Sequence, residues 1–233
     1  MALLMAQPEE PYQQDFMMGV MKRAFKAGFD VCVFSMYIKY QSSREREIGD
    51  SNIYSLVNFD LFDAVIILSD TIQTPGVEKA LEERVKREFD GPVVCVDTES
   101  PFFFSFWTDG YPLVYETVSH IIEHHKVKDI AYLSGRQNHV HSKRRVEAYI
   151  AAMKDHNLTV REDRIRYGDF WYTSGTGYAE ELLRDRNNLP DAVICANDCM
   201  AIGFAEEVVR QGLRIPEDII VAGYGTSEEG QLS

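Results

Sequence analysis

The stretch DAVICANDCMAIGFAEEVV, residues 191–209, holds a strand and a helix with an Asn-Asp pair between them. Asp191 to Ala196 is a short apolar run of strand length. Beyond it the apolar positions recur at helical spacing. A buried strand that feeds straight into a helix is half of a β-α-β unit, and such units build parallel sheets. Ligands of such sheets sit beyond the carboxyl ends of the strands. Asn197 and Asp198 stand at that end. Either side chain can accept an orphan helix N–H. The expectation is that Asp198 caps the helix and Asn197 is free to face a cleft.

The same alternation runs outward in both directions. ALLMA (2–6), DVCVFS (30–35), DAVIILS (63–69) and GPVVCVD (91–97) read as strands. Helical stretches at 12–28, 43–57 and 76–89 separate them. The period then fails over TESPFFFSFWTDG (98–110), which carries Pro101, four Phe and Trp107 and reads as a crossover between two lobes. Alternation resumes with helices at 111–125, 142–156, 174–186 and 198–211. The strands among them fall at 129–135, 163–167, 191–196 and 218–224. The sequence therefore predicts an α/β chain of two lobes, 1–104 and 105–233, each on a parallel sheet.

Composition bounds what these lobes do. The chain has 233 residues, 45% of them hydrophobic, enough for a sizeable core. Its 24 basic and 37 acidic residues give a net charge of -13. Phosphate binding needs a basic footprint, so this chain is not expected to hold nucleic acid directly, nor an anionic membrane surface. No apolar run reaches the roughly 20 residues of a membrane span. The N-terminus lacks the basic region of a signal peptide, so a cytoplasmic location is expected. Cys32, Cys95, Cys195 and Cys199 read as core thiols, because only Cys195 and Cys199 are close in sequence and no His accompanies them.

Several groups carry two readings. Arg145, in HSKRRVEAY, is either part of a solvated helix start or a forked donor to a ligand. Phe170, Trp171 and Tyr172 cannot all face one way, so one of them is either core or a stacking platform. The run FFFSFW (102–107) suits hinge packing or a dimer surface better than ligand contact. SGTGY (174–178) lacks the Lys-Ser/Thr of a phosphate loop and reads as a helix start. His120 and His124 share a helix face but have no third ligand at motif spacing, so a solvated face is preferred to a metal site. No catalytic triad order is recognisable, and no cofactor is expected.

The block PDAVICANDCMAIGFAEEVVRQGLRIPEDIIVAGYG (190–225) resembles the ligand-binding core of the lactose- and galactose-repressor family. The resemblance continues in VSHIIEHHKVKDIAYLSG (118–135), SKRRVEAYIAAM (142–153) and YGDFWYTSG (167–175). It implies a periplasmic-binding-protein-like sensor of type I, with two Rossmann-like lobes that close on a small molecule. Carried over by position, Arg145 reaches the ligand, Phe170 stacks on it and Asn197 is a polar contact. The loops around Gln7, Ser69 and Asp97 match the opposite side of the cleft.

Two departures stand out. The family follows its last strand with Asp-Asp, whose first Asp holds ligand hydroxyls; here Gly225 takes that place. Replacement acceptors would come from Thr226, Ser227 or Glu228. The resemblance also implies the sensor part of a larger regulator, since the helix-turn-helix and the family's final segment are missing. The stretch GDSNIYSLVNFDLFDAVIILS (49–69) resembles sensors that precede output domains, notably diguanylate cyclases with a GGDEF motif. The functional expectation is a non-catalytic sensor, homodimeric, passing closure to an output domain elsewhere in the protein. The alternatives are a flavodoxin-like or Rossmann-like enzyme using the same cleft, and a degenerate dimerisation module that binds nothing.

Overall fold

The computed structural model describes residues 1–37, 43–137, 139–225 and 230. The expected replacement acceptors Thr226, Ser227 and Glu228 lie outside the described residues. The chain divides into two units, Met1–Thr108 and Asp109–Ser233. Each is built on its own parallel sheet, as the strand–helix alternation requires.

The first unit runs β1 (Ala2–Ala6), α1 (Pro11–Lys26), β2 (Cys32–Met36), α2 (Arg44–Asp50), β3 (Val65–Leu68), α3 (Val77–Glu88), β4 (Val93–Val96) and β5 (Phe104–Phe106). Its strand order is β2-β1-β3-β4-β5, every pair parallel. All five residues of β1 are buried, because both faces of the sheet are covered there. Leu3 and Met5 pack with Phe16 and Met17 of α1 on one face. Ala2, Leu4 and Ala6 pack with Tyr54, Phe59, Leu81 and Val85 on the other.

Three local features differ from the sequence reading. The helix expected over 43–57 stops at Asp50 and continues as a 3₁₀ turn, Ser51–Leu56. That turn carries Tyr54 inward, where its hydroxyl donates to the Met5 carbonyl at 2.6 Å. The aperiodic run after β4 contains a strand, β5, that completes the first sheet, so a boundary at 104/105 would cut it. Its alternation is inverted: Phe104 and Phe106 are 71% and 57% exposed, while Ser105 accepts the Ser100 N–H at 2.8 Å. Beneath lies a buried polar link. The Glu82 carboxylate accepts from Ser100 Oγ at 2.5 Å and from Cys95 Sγ at 3.7 Å. Burial, then the Glu82 charge, pushes the Cys95 thiol up to about 11, which keeps it a proton donor. Cys195 is buried too, but Cys32 is exposed at the start of the edge strand β2 and is not a core thiol.

The second unit runs α4 (Tyr111–His125), β6 (Ile130–Ser134), α5 (Val140–Asp155), β7 (Ile165–Tyr167), α6 (Tyr172–Leu182), β8 (Ala192–Cys195), α7 (Asp198–Arg210) and β9 (Ile220–Ala222). The strand order is β7-β6-β8-β9, again all parallel. Helices α6 and α7 meet backbone to backbone. A Cβ at Gly175 would lie 2.0 Å from the Met200 carbonyl oxygen, and one at Gly203 would lie 2.2 Å from that of Tyr172. Only glycine permits that approach. Among the described residues no helix is long and apolar enough to cross a membrane.

Arg164 is the most deeply buried cation of this unit, its side chain 3% exposed. Its guanidinium donates to the Asp129 carboxylate, with Nε–Oδ1 at 2.9 Å, and to the Asn188 carbonyl at 2.9 Å. Removing the partner of a buried charge costs about 3–5 kcal/mol. Asp129→Ala is therefore expected to lower unfolding free energy by roughly that amount in urea titrations. Glu181→Ala, which breaks the half-exposed pair with Arg166, is expected to cost less than about 1 kcal/mol.

Candidate functional site

In each sheet the chain leaves the first strand for one neighbour and then crosses back to the other side. That reversal falls between β1 and β3 in the first unit and between β6 and β8 in the second. Crevices beyond the carboxyl ends of strands at such a switch point are where these sheets bind ligands. In the second unit, Gly135 follows β6 and Asn197 follows β8, at that point.

Asn197 is the N-cap of α7, reversing the sequence assignment. Its Oδ1 accepts the Met200 N–H at 3.0 Å, and its Nδ2 donates to the Phe170 carbonyl at 2.7 Å. Both ends of the amide are engaged, so it is not a free polar contact. Asp198 is the first helical residue instead, where its charge complements the helix dipole. Sequence reasoning could not separate the two, since Asn and Asp rank equally as caps.

Phe170 occupies the left-handed region, with φ 70°. For a bulky residue this conformation is costly, of order 1–3 kcal/mol. The Asn197 bond to its carbonyl helps hold it. The ring lies over Gly135, where a Cβ would come within 1.9 Å of Cζ, and meets the His139 ring edge-on at 5.6 Å. Gly135 is thus the seat of the Phe170 ring.

Arg145 reaches the same edge from α5. Its Nη1 donates to the Ala196 carbonyl at 2.6 Å, and its guanidinium carbon stands 3.9 Å from the Tyr224 ring centroid. Nε is buried and has no hydrogen-bond partner among the described residues. Arg145, Phe170 and Asn197 therefore converge on the end of β8, although they are far apart in sequence. Tyr224, which holds the guanidinium by a cation–π contact, was missed as a site residue. Its only signal was its place at the end of the last strand-like run, 218–224.

Gly225 lies at φ 147°, and a Cβ there would fall 2.6 Å from Asp198 Oδ2. The Asp198 carboxylate also closes on Gly223, at 2.8 Å from a Cβ position. An aspartate at 225 would bring a second carboxylate against the first in an unfavourable backbone conformation. Gly225→Asp is thus not a simple restoration of a missing acceptor.

In the first unit the three sequence candidates separate. Gln7 and Asp97 sit just beyond β1 and β4, both left-handed, with φ 56° and 59°. The Gln7 N–H donates to the Met36 carbonyl at 2.9 Å, and that of Asp97 to the Phe106 carbonyl at 2.8 Å. The Asp97 carboxylate accepts the Tyr12 hydroxyl. Burial, then that carboxylate, raises the Tyr12 pKa far above its ordinary value, so the phenol stays a donor. Ser69 is not presented at the surface. It is fully buried at the start of a 3₁₀ turn, Ser69–Thr71, with its hydroxyl toward the Cys95 thiol. Glu9, overlooked in the sequence, buries both carboxylate oxygens without a hydrogen-bond partner among the described residues. Among the described residues no group of three or more His, Cys, Asp or Glu could hold a metal ion.

Two parallel sheets, each with its ligand-competent edge, define a bilobal α/β ligand-binding domain. Residues 1–227 match the family model for periplasmic binding proteins and the sugar binding domain of the LacI family, and the chain belongs to that family. It is 36% identical over 110 residues to the HTH-type transcriptional repressor PurR of Actinobacillus pleuropneumoniae serotype 3 (strain JL03), covering 47% of this chain and 32% of that protein. It is 25% identical over 230 residues to PurR of Aliivibrio salmonicida (strain LFI1238), covering 97% of this chain and 64% of the relative. The chain thus spans less than two thirds of the length of these relatives. Among solved structures, the transcriptional regulator CelR–cellobiose complex superposes with a TM-score of 0.76 at 24% identity, covering 97% of this chain and 67% of that one. The lac repressor dimer bound to operator and the anti-inducer ONPF gives 0.72 at 21% identity, covering 98% and 75%.

The Asn197 amide generates a graded expectation. Asn197→Ala removes the cap and the bond to Phe170, and is expected to cost about 2 kcal/mol in chemical denaturation. Asn197→Ser keeps a capping oxygen and loses only the donor, so its cost is expected to be about half.

Proposed function

We propose that the chain is the effector-sensing domain of a bacterial transcriptional regulator. A small molecule is held at the carboxyl-end loops of the second sheet, and its binding is passed to an output domain elsewhere in the protein. The observation that carries this reading is the convergence of Arg145, Phe170 and Asn197 at the switch point of the second sheet. There Arg145 offers a buried Nε without an acceptor, beside an aromatic ring fixed by its own backbone. Membership of the LacI family and the repressor relatives support the regulatory role. They favour a DNA-binding output over the cyclase output. The net charge of -13 assigns DNA contact to that output domain and not to this one. A homodimer in the cytoplasm fits the same reading.

The effector shifts the equilibrium only by binding one state better than the other. On the second unit's side it meets a guanidinium and an aromatic ring, and position 225 adds no carboxylate to that of Asp198. An aromatic or anionic molecule suits that set. Simple hexoses lose the paired acceptor for adjacent hydroxyls, each such charge-assisted bond contributing about 1.5–3 kcal/mol.

A thermal-shift screen over aromatic carboxylates, nucleosides and hexoses, followed by calorimetry, tests this. An effector at 100 times its Kd is expected to add about 2.7 kcal/mol of stability. Arg145→Ala is expected to abolish that gain while leaving the far-ultraviolet circular dichroism unchanged. Hexoses are expected to bind in the millimolar range or not at all. Micromolar binding of an unmodified hexose, or full binding by Arg145→Ala, contradicts the assignment.

A further inference from the structure

Helix α4 ends in three histidines, 120, 124 and 125, all exposed. Residues 120 and 124 lie one above the other on the helix surface, one turn apart. Their imidazole rings stand 4.4 Å apart between centroids, tilted by 34°. His125 is set off from the pair, its centroid 5.9 Å from that of His120. Glu116, also exposed, is one turn earlier on the same stripe. Cations in the last turn of a helix complement its dipole. That effect gives no reason for two rings to lie side by side, and two protonated imidazoles at this distance repel.

We propose that His120 and His124 form a two-point chelate for a divalent transition-metal ion. Neutral imidazole suits Zn²⁺, Ni²⁺ and Cu²⁺, with Cu²⁺ the tightest of the series. An ion about 2 Å from one nitrogen of each ring is reached by rotating two exposed side chains, with the backbone in place. No third His, Cys, Asp or Glu closes a cage among the described residues, so water takes the other positions. Mg²⁺ and Ca²⁺ prefer oxygen ligands and are not bound here. The site uses none of the residues assigned to the effector, and the ion stabilises the last turns of α4 because it binds only where the helix is formed.

The test is a titration of the intact chain with Zn²⁺, Ni²⁺ and Mg²⁺ at neutral pH, followed by calorimetry and by proton NMR of the imidazoles. The expected result is saturable binding of Zn²⁺ and Ni²⁺, one ion per chain, with His120 and His124 resonances the first to shift or broaden. His120→Asn and His124→Asn are each expected to lose that binding. A variant with both His139→Asn and His141→Asn is expected to retain it. Both helix positions are exposed, and circular dichroism verifies that the variants fold. Undiminished binding in His120→Asn and His124→Asn overturns the proposal. So does an equal response to Mg²⁺, or the absence of saturable Zn²⁺ and Ni²⁺ binding in the unmutated protein.

Discussion

The amide of Asn197 is the one interaction on which the candidate site depends. With one end it satisfies an orphan N–H of α7; with the other it holds the backbone of Phe170, 27 residues earlier in the chain. Phe170 adopts a conformation that a bulky residue avoids, so the loop after β7 needs an external tether. The tether comes from the loop after β8, and Arg145 joins the same loop through the Ala196 carbonyl. Two loops and helix α5 are thereby fixed to one strand end. An aromatic face and a guanidinium are held in place before any ligand arrives, which lowers the ordering cost of binding.

The two units present different chemistry at their ligand edges. The second is rich in donors and aromatic rings: Arg145, His139, Phe170 and Tyr224. The first is rich in acceptors: Glu9, Asp97 and the Asp70 charge that acts on Tyr12. Each edge is backed by a sheet whose central strands, β1 in the first unit and β6 and β8 in the second, are fully buried, and each puts loop residues in left-handed conformations where the chain turns. Backbone strain at Gln7, Asp97 and Phe170 is thus gathered at the strand ends, where function is expected, and absent from the strands themselves.

Much of the fold was legible because buried parallel strands are continuous apolar runs, and ALLMA or VIC cannot be solvated. β5 was not legible: its outward residues are Phe and its inward residue is Ser, the reverse of the usual pattern. Its partners, Ser100 and Glu82, come from a loop and a helix that no local period connects. At the site, the resemblance singled out Arg145, Phe170 and Asn197, which stand together at the end of β8. It did not show that the Asn197 amide is used internally, because choosing between adjacent Asn and Asp as a cap is a matter of backbone geometry. Ser69 was read as a loop residue beside the cleft, but it opens a 3₁₀ turn directly after β3 and is buried there, which no local period signals.

The central claim is that the carboxyl edge of the second sheet receives the effector. Amide proton–nitrogen NMR spectra of the chain, titrated with aromatic carboxylates, nucleosides and hexoses, test it most directly. The claim requires that a binding probe move resonances of residues 135–145, 168–172, 196–198 and 223–225 together. Shifts confined to the amino ends of the strands, or no saturable shift with any of these probes, would contradict it.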